Sequence, residues 1–225
     1  MNAQDEYLLS NQQLQTLGAV FQRGAAQASA ALEGWLERPS LITVDAVEQR
    51  DLHEVANILG PGEDPICFCS AEISGRFTGE MILAFDDASG LVLADMLLKQ
   101  PRGTAVEWNE METSAALETT NILGCAYLNA LARVLPDAAH GASELLPSPP
   151  RFRRDFAESL LQFALMAQAV ATNYVFLAKS RFQVDATPIH WTLLFVPDAE
   201  SMSKLRSLLP EEAIPTDHPP VQPGP

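Results

Sequence analysis

Apolar residues recur at Leu14, Leu17, Phe21, Ala25, Ala28, Leu32 and Leu36, with glutamines and alanines between them. Steps of three and four sustained over this distance predict one long helix across residues 11–37, about seven turns. Beyond Pro39 the run LITVDAV alternates apolar and polar as a half-buried strand does, and Asp51 is placed to N-cap a short helix reaching Ile58. GPGEDP then breaks the pattern. ICFCSAEI and GEMILAFD carry the β-branched and aromatic content of two strands joined through Ser74–Thr78, with a glycine at the turn, and residues 88–99 return to helical spacing.

The second half repeats this order. Residues 108–135 form another long helix, Asp155 opens a helical segment, TNYVFLAKSRFQVD and PIHWTLLFVP read as two strands, and Ala199–Leu209 closes with a helix. ILAFDDASGLVLADMLL lies beside TLLFVPDAESMSKLRSLL, and Ala31-Leu32 beside Ala130-Leu131. Shared order and shared apolar register over about 100 residues indicate an internal duplication. The expected fold is α/β of the α+β type: one pseudo-two-fold domain of duplicated helix-strand-helix-strand-strand-helix halves sharing a sheet, with the two long helices on one face. Residues 1–10 are expected to be an N-terminal extension and 11–209 the domain, with halves at about 11–100 and 104–209. The proline- and acid-rich segment 210–225 is expected to be a disordered tail.

Composition narrows the function. Of 225 residues 47% are apolar, enough for a core of ordinary size. The 29 acids outnumber the 14 Lys and Arg, and the resulting charge of −15 repels phosphate backbones and anionic lipid heads. Nucleic-acid or membrane-surface binding then needs a local basic patch. The nearest is Arg151, Arg153 and Arg154 beside a proline cluster, which reads as a solvated loop. The longest apolar stretch, Leu160 to Ala171, is broken by Gln162 and Gln168 and is too short to span a bilayer. Cys67, Cys69 and Cys125 are odd in number, and the start MNAQDEYLLS lacks a secretory pattern, so a reduced, cytoplasmic protein is expected. Cys67 and Cys69 alternate toward one face of a strand without further ligands nearby, which favours buried thiols over a metal site. No metal ligands are assigned. His53, His140, His190 and His218 are scattered without nucleophile or ligand spacing, and Trp35, Trp108 and Trp191 read as core or interface anchors.

The candidate chemistry lies on the second long helix. Glu107, Glu110 and Glu112 stand at its start, against the positive end of the helix dipole. Leu117, Gly124, Leu128, Leu131 and Leu135 make an apolar stripe, and beside it Ser114, Glu118 and Asn121 stand at i, i+4 and i+7 on one flank. Gly124 costs the helix about 1 kcal/mol relative to alanine, which suggests a place where a second backbone comes close.

The stretch SAALETTNILGCAYLNALARVL resembles the signature helix of the CheC/CheX/FliY family of chemotaxis phosphatases. That pattern is Asp or Ser, three residues, Glu, two residues, Asn, then a proline further on. Ser114, Glu118 and Asn121 fill the helical positions, and with the duplicated halves the resemblance covers roughly residues 12–209. It implies hydrolysis of the aspartyl phosphate on a phosphorylated CheY-like receiver domain. In that reading Asn121 positions the attacking water, Glu118 pairs with the partner's lysine, and Ser114 supports them. It implies no cofactor of the chain's own and a divalent cation (Mg) in the partner. Single-motif members of the family tend to be dimers, which extends the expectation to a homodimer. Two departures stand out. The Ala31-Leu32 register places Gln15, Ala19 and Gln22 where a first site repeats the motif, so that degenerate site, lacking its Glu, is expected to be inactive. The prolines after Asn121 are Pro136, Pro147, Pro149 and Pro150, and Pro147 falls later than the pattern, so the loop HGASELLPSPP is expected to be longer than usual. The alternative is a non-catalytic chemotaxis or flagellar-switch adaptor that binds a receiver domain or related partner.

Overall fold

The computed structural model describes residues 8–59, 64–133, 144–159, 174–184 and 187–209. The expected tail, most of the N-terminal extension, Pro136, the stretch Leu160–Ala171, and His140 and His218 lie outside the described residues.

Helix α1 (Asn11–Leu36) is entered through a capping box in which Ser10 Oγ accepts from the Gln13 N–H and the Gln13 side chain accepts from the Ser10 N–H. The chain continues as β1 (Ser40–Asp51), α2 (Leu52–Leu59), β2 (Ile66–Gly75), β3 (Gly79–Asp86) and α3 (Asp87–Leu97). There follow α4 (Glu110–Ala132), β4 (Leu145–Pro147), β5 (Arg151–Asp155), β6 (Tyr174–Val184), β7 (Thr187–Pro197) and α5 (Ala199–Leu208). The long elements fall where the apolar periodicity places them.

These strands form one antiparallel sheet in the order β1-β6-β7-β3-β2, with β4 and β5 both pairing with β2 at its far side. Helices α3 and α5 start alike, Asp86 accepting from the Ser89 N–H and Asp198 from the Ser201 N–H. The offset that carries Asp86 onto Asp198 also carries Ile82 onto Leu194, and these two residues face each other across the β3–β7 ladder. A residue opposite its own counterpart lies on the pseudo-two-fold axis. The halves therefore join at equivalent strands, and each lends an outer strand to the other, β1 to β6 and β5 to β2. The fold is the pseudo-two-fold α+β domain that the duplication implied.

Both long helices cover one face. Their inward residues, among them Leu17, Phe21, Ala28 and Leu32 of α1 and Leu123, Tyr127 and Leu131 of α4, bury Met81, Leu83, Phe176 and Phe195 of the sheet. Val55 of α2 joins Ile66, Phe68, Ile82, Leu177 and Leu194 on the other face. The close helix–helix approach is at Gly24, where a Cβ would lie 2.6 Å from Tyr127 Cδ1 and 3.0 Å from Tyr127 Cα. Gly124 plays a different part from the one expected of it. A Cβ there would meet the Met81 Cε at 2.6 Å, so the missing side chain makes room for a methionine from β3 and not for a second backbone.

The arginine run also departs from expectation. Arg151, Arg153 and Arg154 belong to β5, in register with Ser70, Phe68 and Cys67, and Asp155 ends that strand, helical structure starting at Ala157. Two contacts explain why so charged a segment is ordered. Phe152 packs on Trp108 with ring centroids 4.8 Å apart, and Arg154 forks onto Asp87. Asp87 Oδ1 also accepts from Trp108 Nε1 at 2.9 Å and from Cys67 Sγ at 3.3 Å, so one carboxylate at the start of α3 ties together β2, β5 and the segment leading into α4. Hydrogen bonding from Arg154 holds the Asp87 carboxyl below its ordinary range against the opposing effect of partial burial. Burial pushes the Cys67 thiol far up and that of Cys69 to about 12, so both are thiols at neutral pH, as buried structural cysteines are.

Two outcomes follow from this packing. Gly24→Ala, forced against the Tyr127 backbone, should lower stability by about 1–3 kcal/mol, measured by urea unfolding. Asp87→Ala should cost about 1–2 kcal/mol near neutral pH, less than the roughly 1.5–3 kcal/mol of hydrogen bonds to charged groups because Asp87 and Arg154 are partly exposed to screening solvent. A carboxyl with a depressed folded-state pKa stabilises fully above its unfolded value, about 3.9, and loses that contribution as pH falls through the folded value. The gap between Asp87→Ala and the parent chain should therefore narrow as unfolding is measured at progressively more acid pH.

Candidate functional site

The motif helix α4 starts at Asn109, whose side chain accepts from the Met111 N–H, with Glu110 and Glu112 in its first turn. Ala115, Ala116, Thr119, Thr120, Leu123 and Tyr127 face the core. Thr119 and Thr120 are fully buried and turn their hydroxyls back to the Ala115 and Ala116 carbonyls, 2.9 Å in each case. This leaves Ser114, Glu118, Asn121 and Cys125 on the outward stripe, all exposed. Glu118 and Asn121, three apart, place their Cβ atoms about 5–6 Å from each other. Among the described residues Ser114 and Glu118 make no hydrogen bond or ion pair, and Asn121 has only a long contact from Cys125 Sγ to its Oδ1 at 4.0 Å. Pro147 lies in β4, held by pairing with Ile73, and comes within 3.9 Å of where a Cβ on Gly124 would stand, one turn beyond Asn121. The fold brings this proline to the motif helix despite its late position in the chain.

The two long helices share a register that their caps make explicit: the offset from Ser10 to Asn109 is the offset from Ala31-Leu32 to Ala130-Leu131. Gln15, Ala19 and Gln22 are thus the counterparts of Ser114, Glu118 and Asn121. Gln15 is exposed and Ala19 half-buried. Gln22, by spacing a solvated residue, is bound to the sheet: its Nε2 donates to the Val44 carbonyl at 3.0 Å and its Oε1 accepts from the Val44 N–H at 3.5 Å. Seven residues on, Ser29 Oγ accepts from the Ile42 N–H at 2.8 Å. Helix α1 thereby takes up backbone groups at alternate residues of the edge strand β1, beside its irregularity between Val44 and Ala46. Helix α4 does not repeat this. The counterpart of Ser29 is Leu128, which has no polar atom, and Asn121 is one methylene shorter than Gln22. No sequence signal points to the Gln22 clasp, because its partner is main chain.

Charge around the site is unbalanced. Glu107, Glu110 and Glu118 are exposed and unpaired among the described residues, whereas Glu37, Asp45 and Asp87 each hold a Lys or Arg. Among the described residues no cluster of His, Cys, Asp and Glu is arranged to hold a metal ion, and no helix is long and apolar enough to cross a membrane. A cleft of about 330 Å³ lined by Lys179, His190 and Thr192 opens by the end of α2, on the sheet face opposite the two long helices.

No protein-family model and no curated protein matches the sequence. Solved structures do match. FliY of Thermotoga maritima superposes with a TM-score of 0.70 at 20% identity over 90% of this chain and 98% of its own. The chain has the FliY fold. The same fold occurs in the FliM middle domain of H. pylori (TM-score 0.64, 14% identity, 88% of this chain and 99% of that one). It recurs in a FliM–SpeE complex from H. pylori (TM-score 0.66, 14% identity, 90% and 98%). These likenesses place the architecture that the sequence resemblance implied.

Gln22→Ala should cost about 1 kcal/mol through the lost hydrogen bonds to Val44 and speed amide exchange at Val44, measured by hydrogen–deuterium exchange, without altering exchange along α4.

Proposed function

We propose that the chain is a phosphatase that hydrolyses the aspartyl phosphate of a CheY-like response regulator, at one site per chain on α4. The observation that carries this reading is the contrast between the long helices. Gln22, Glu118 and Asn121 are all exposed, but the Gln22 amide is hydrogen-bonded to the Val44 main chain, whereas Glu118 and Asn121 stand together with no structural task among the described residues.

The chemistry asks little of the phosphatase. The receiver brings its own divalent cation and lysine to the phosphoryl oxygens, which leaves a water to be held in line with the departing carboxylate. An amide suits this: the Asn121 carbonyl accepts from the water, its NH₂ donates, and it adds no negative charge to repel the phosphoryl group. Glu118, one turn earlier, pairs with the receiver's lysine and sets the docking register. Ser114 extends the same stripe by a further turn.

A second reading is an adaptor that binds a receiver or a flagellar-switch partner without hydrolysis. It is favoured by the recurrence of the fold in FliM middle domains and by the loss of the first-half motif.

Asn121→Ala should abolish the accelerated loss of phosphate from a phosphorylated receiver while leaving the thermal midpoint within a degree or two. Loss rates unchanged by the substitution would sink the catalytic reading. Binding that depends on phosphorylation, with no acceleration, would establish the adaptor. Added salt should weaken the activity, since unpaired Glu107, Glu110 and Glu118 would attract a lysine-bearing face through solvent.

A further inference from the structure

The outward stripe of α4 does not begin at Ser114. One turn earlier on it stands Met111, 56% exposed, and Val106, 79% exposed, lies just before the helix. Apolar side chains of this size are expensive to leave in water when the helix has a core-facing side to offer them. Isolated exposed hydrophobes need no explanation in general, and the internal duplication supplies a test of whether this one does. If the architecture required an apolar residue at this place, the two-fold counterpart would be apolar too. The offset that relates Ser10 to Asn109 maps Met111 onto Gln12, which is polar and exposed. The exposed methionine therefore travels with the Glu118–Asn121 pair and is missing from the helix that lacks it.

Geometry and charge agree. Helical rise puts Met111 about 10 Å from Glu118 and about 15 Å from Asn121 along the axis. A standard protein–protein footprint of about 800 Å² per partner has a radius of about 16 Å, so a partner centred on the pair covers Met111. Glu107 and Glu110 flank the methionine in the chain and Glu118 follows two turns on, all exposed and without ion pairs among the described residues. An apolar contact rimmed by acids fits a partner face that offers an apolar side chain beside lysines, and the proposed function already sets a receiver lysine against Glu118.

We infer that Met111 is the apolar anchor of the docking surface for the phosphorylated receiver, and so a specificity-determining residue that does not touch the reacting atoms. The inference rests on the proposed phosphatase reading. Binding and chemistry then separate along one helix, Met111 contributing to affinity and Asn121 to turnover.

The test is steady-state dephosphorylation of a phosphorylated receiver by the full chain, compared with Met111→Ala, Met111→Glu and Met111→Leu, with Gln12→Ala as the symmetry-related control and circular dichroism to verify folding. Met111→Ala should raise KM about five- to tenfold, Met111→Glu more, both with kcat unchanged, and Met111→Leu and Gln12→Ala should behave as the parent chain. Parent-chain activity with KM indifferent to all Met111 substitutions overturns the anchor and leaves the phosphatase reading standing. If kcat falls with KM unchanged, the residue acts on the chemistry and the docking role is likewise overturned. A parent chain that neither accelerates phosphate loss nor binds a beryllofluoride-loaded receiver overturns the phosphatase reading and the anchor with it.

Discussion

The antiparallel pairing of β3 with β7, centred where Ile82 faces Leu194, is the joint on which both halves depend. With the equivalent strands of the two halves in the middle of the sheet, β2 and β6 are left with open edges, and each is completed by a strand from the other half. Neither half can satisfy its own backbone alone, so the sheet is obligately shared. The residues on the axis are buried, and each such side chain contributes about 1.5–3 kcal/mol relative to exposure.

Symmetry of the scaffold presents two equivalent helix surfaces, and this chain uses them differently. On α1 two polar positions are tied to the edge of β1: the exposed Gln22 and the buried Ser29 occupy main-chain groups that would otherwise offer a pairing edge. On α4 the corresponding positions carry Asn121, left outward, and Leu128, buried in the core. A single methylene separates Gln22 from Asn121; both residues are exposed, yet among the described residues only the Gln22 amide is hydrogen-bonded to the sheet. The acidic excess of the chain also has a local expression, because the unpaired Glu107 and Glu110 stand at the start of the helix that carries the outward pair.

Much of the architecture was legible in the chain because apolar spacing and caps are local signals. Leu14 to Leu36 predicts α1, the β-branched and aromatic content of ICFCSAEI and GEMILAFD with a glycine at the turn predicts the β2–β3 pair, and the shared register of the two halves predicts the pseudo-two-fold axis. Strands β4 and β5 were hidden for a physical reason. Their residues are arginines and prolines at a sheet edge, ordered by pairing with β2, by Phe152 on Trp108 and by Arg154 on Asp87, all partners distant in sequence. Helical spacing placed Ser114, Glu118 and Asn121 on one outward flank, while their candidate roles come from the resemblance of the surrounding stretch. The clasp of Gln22 on Val44 and the apolar residue at Met111 were not legible, since one depends on a main-chain partner and the other gains meaning only by comparison with Gln12.

A single site on α4 requires one amide to be free for a partner while its counterpart is bound by the fold. The direct measurement is nuclear magnetic resonance of the side-chain NH₂ groups during titration with a beryllofluoride-loaded receiver domain. The Asn121 resonances should shift on binding while those of Gln22 stay in place. Movement at Gln22 with Asn121 unmoved, or equal movement at both, would contradict a single site on α4.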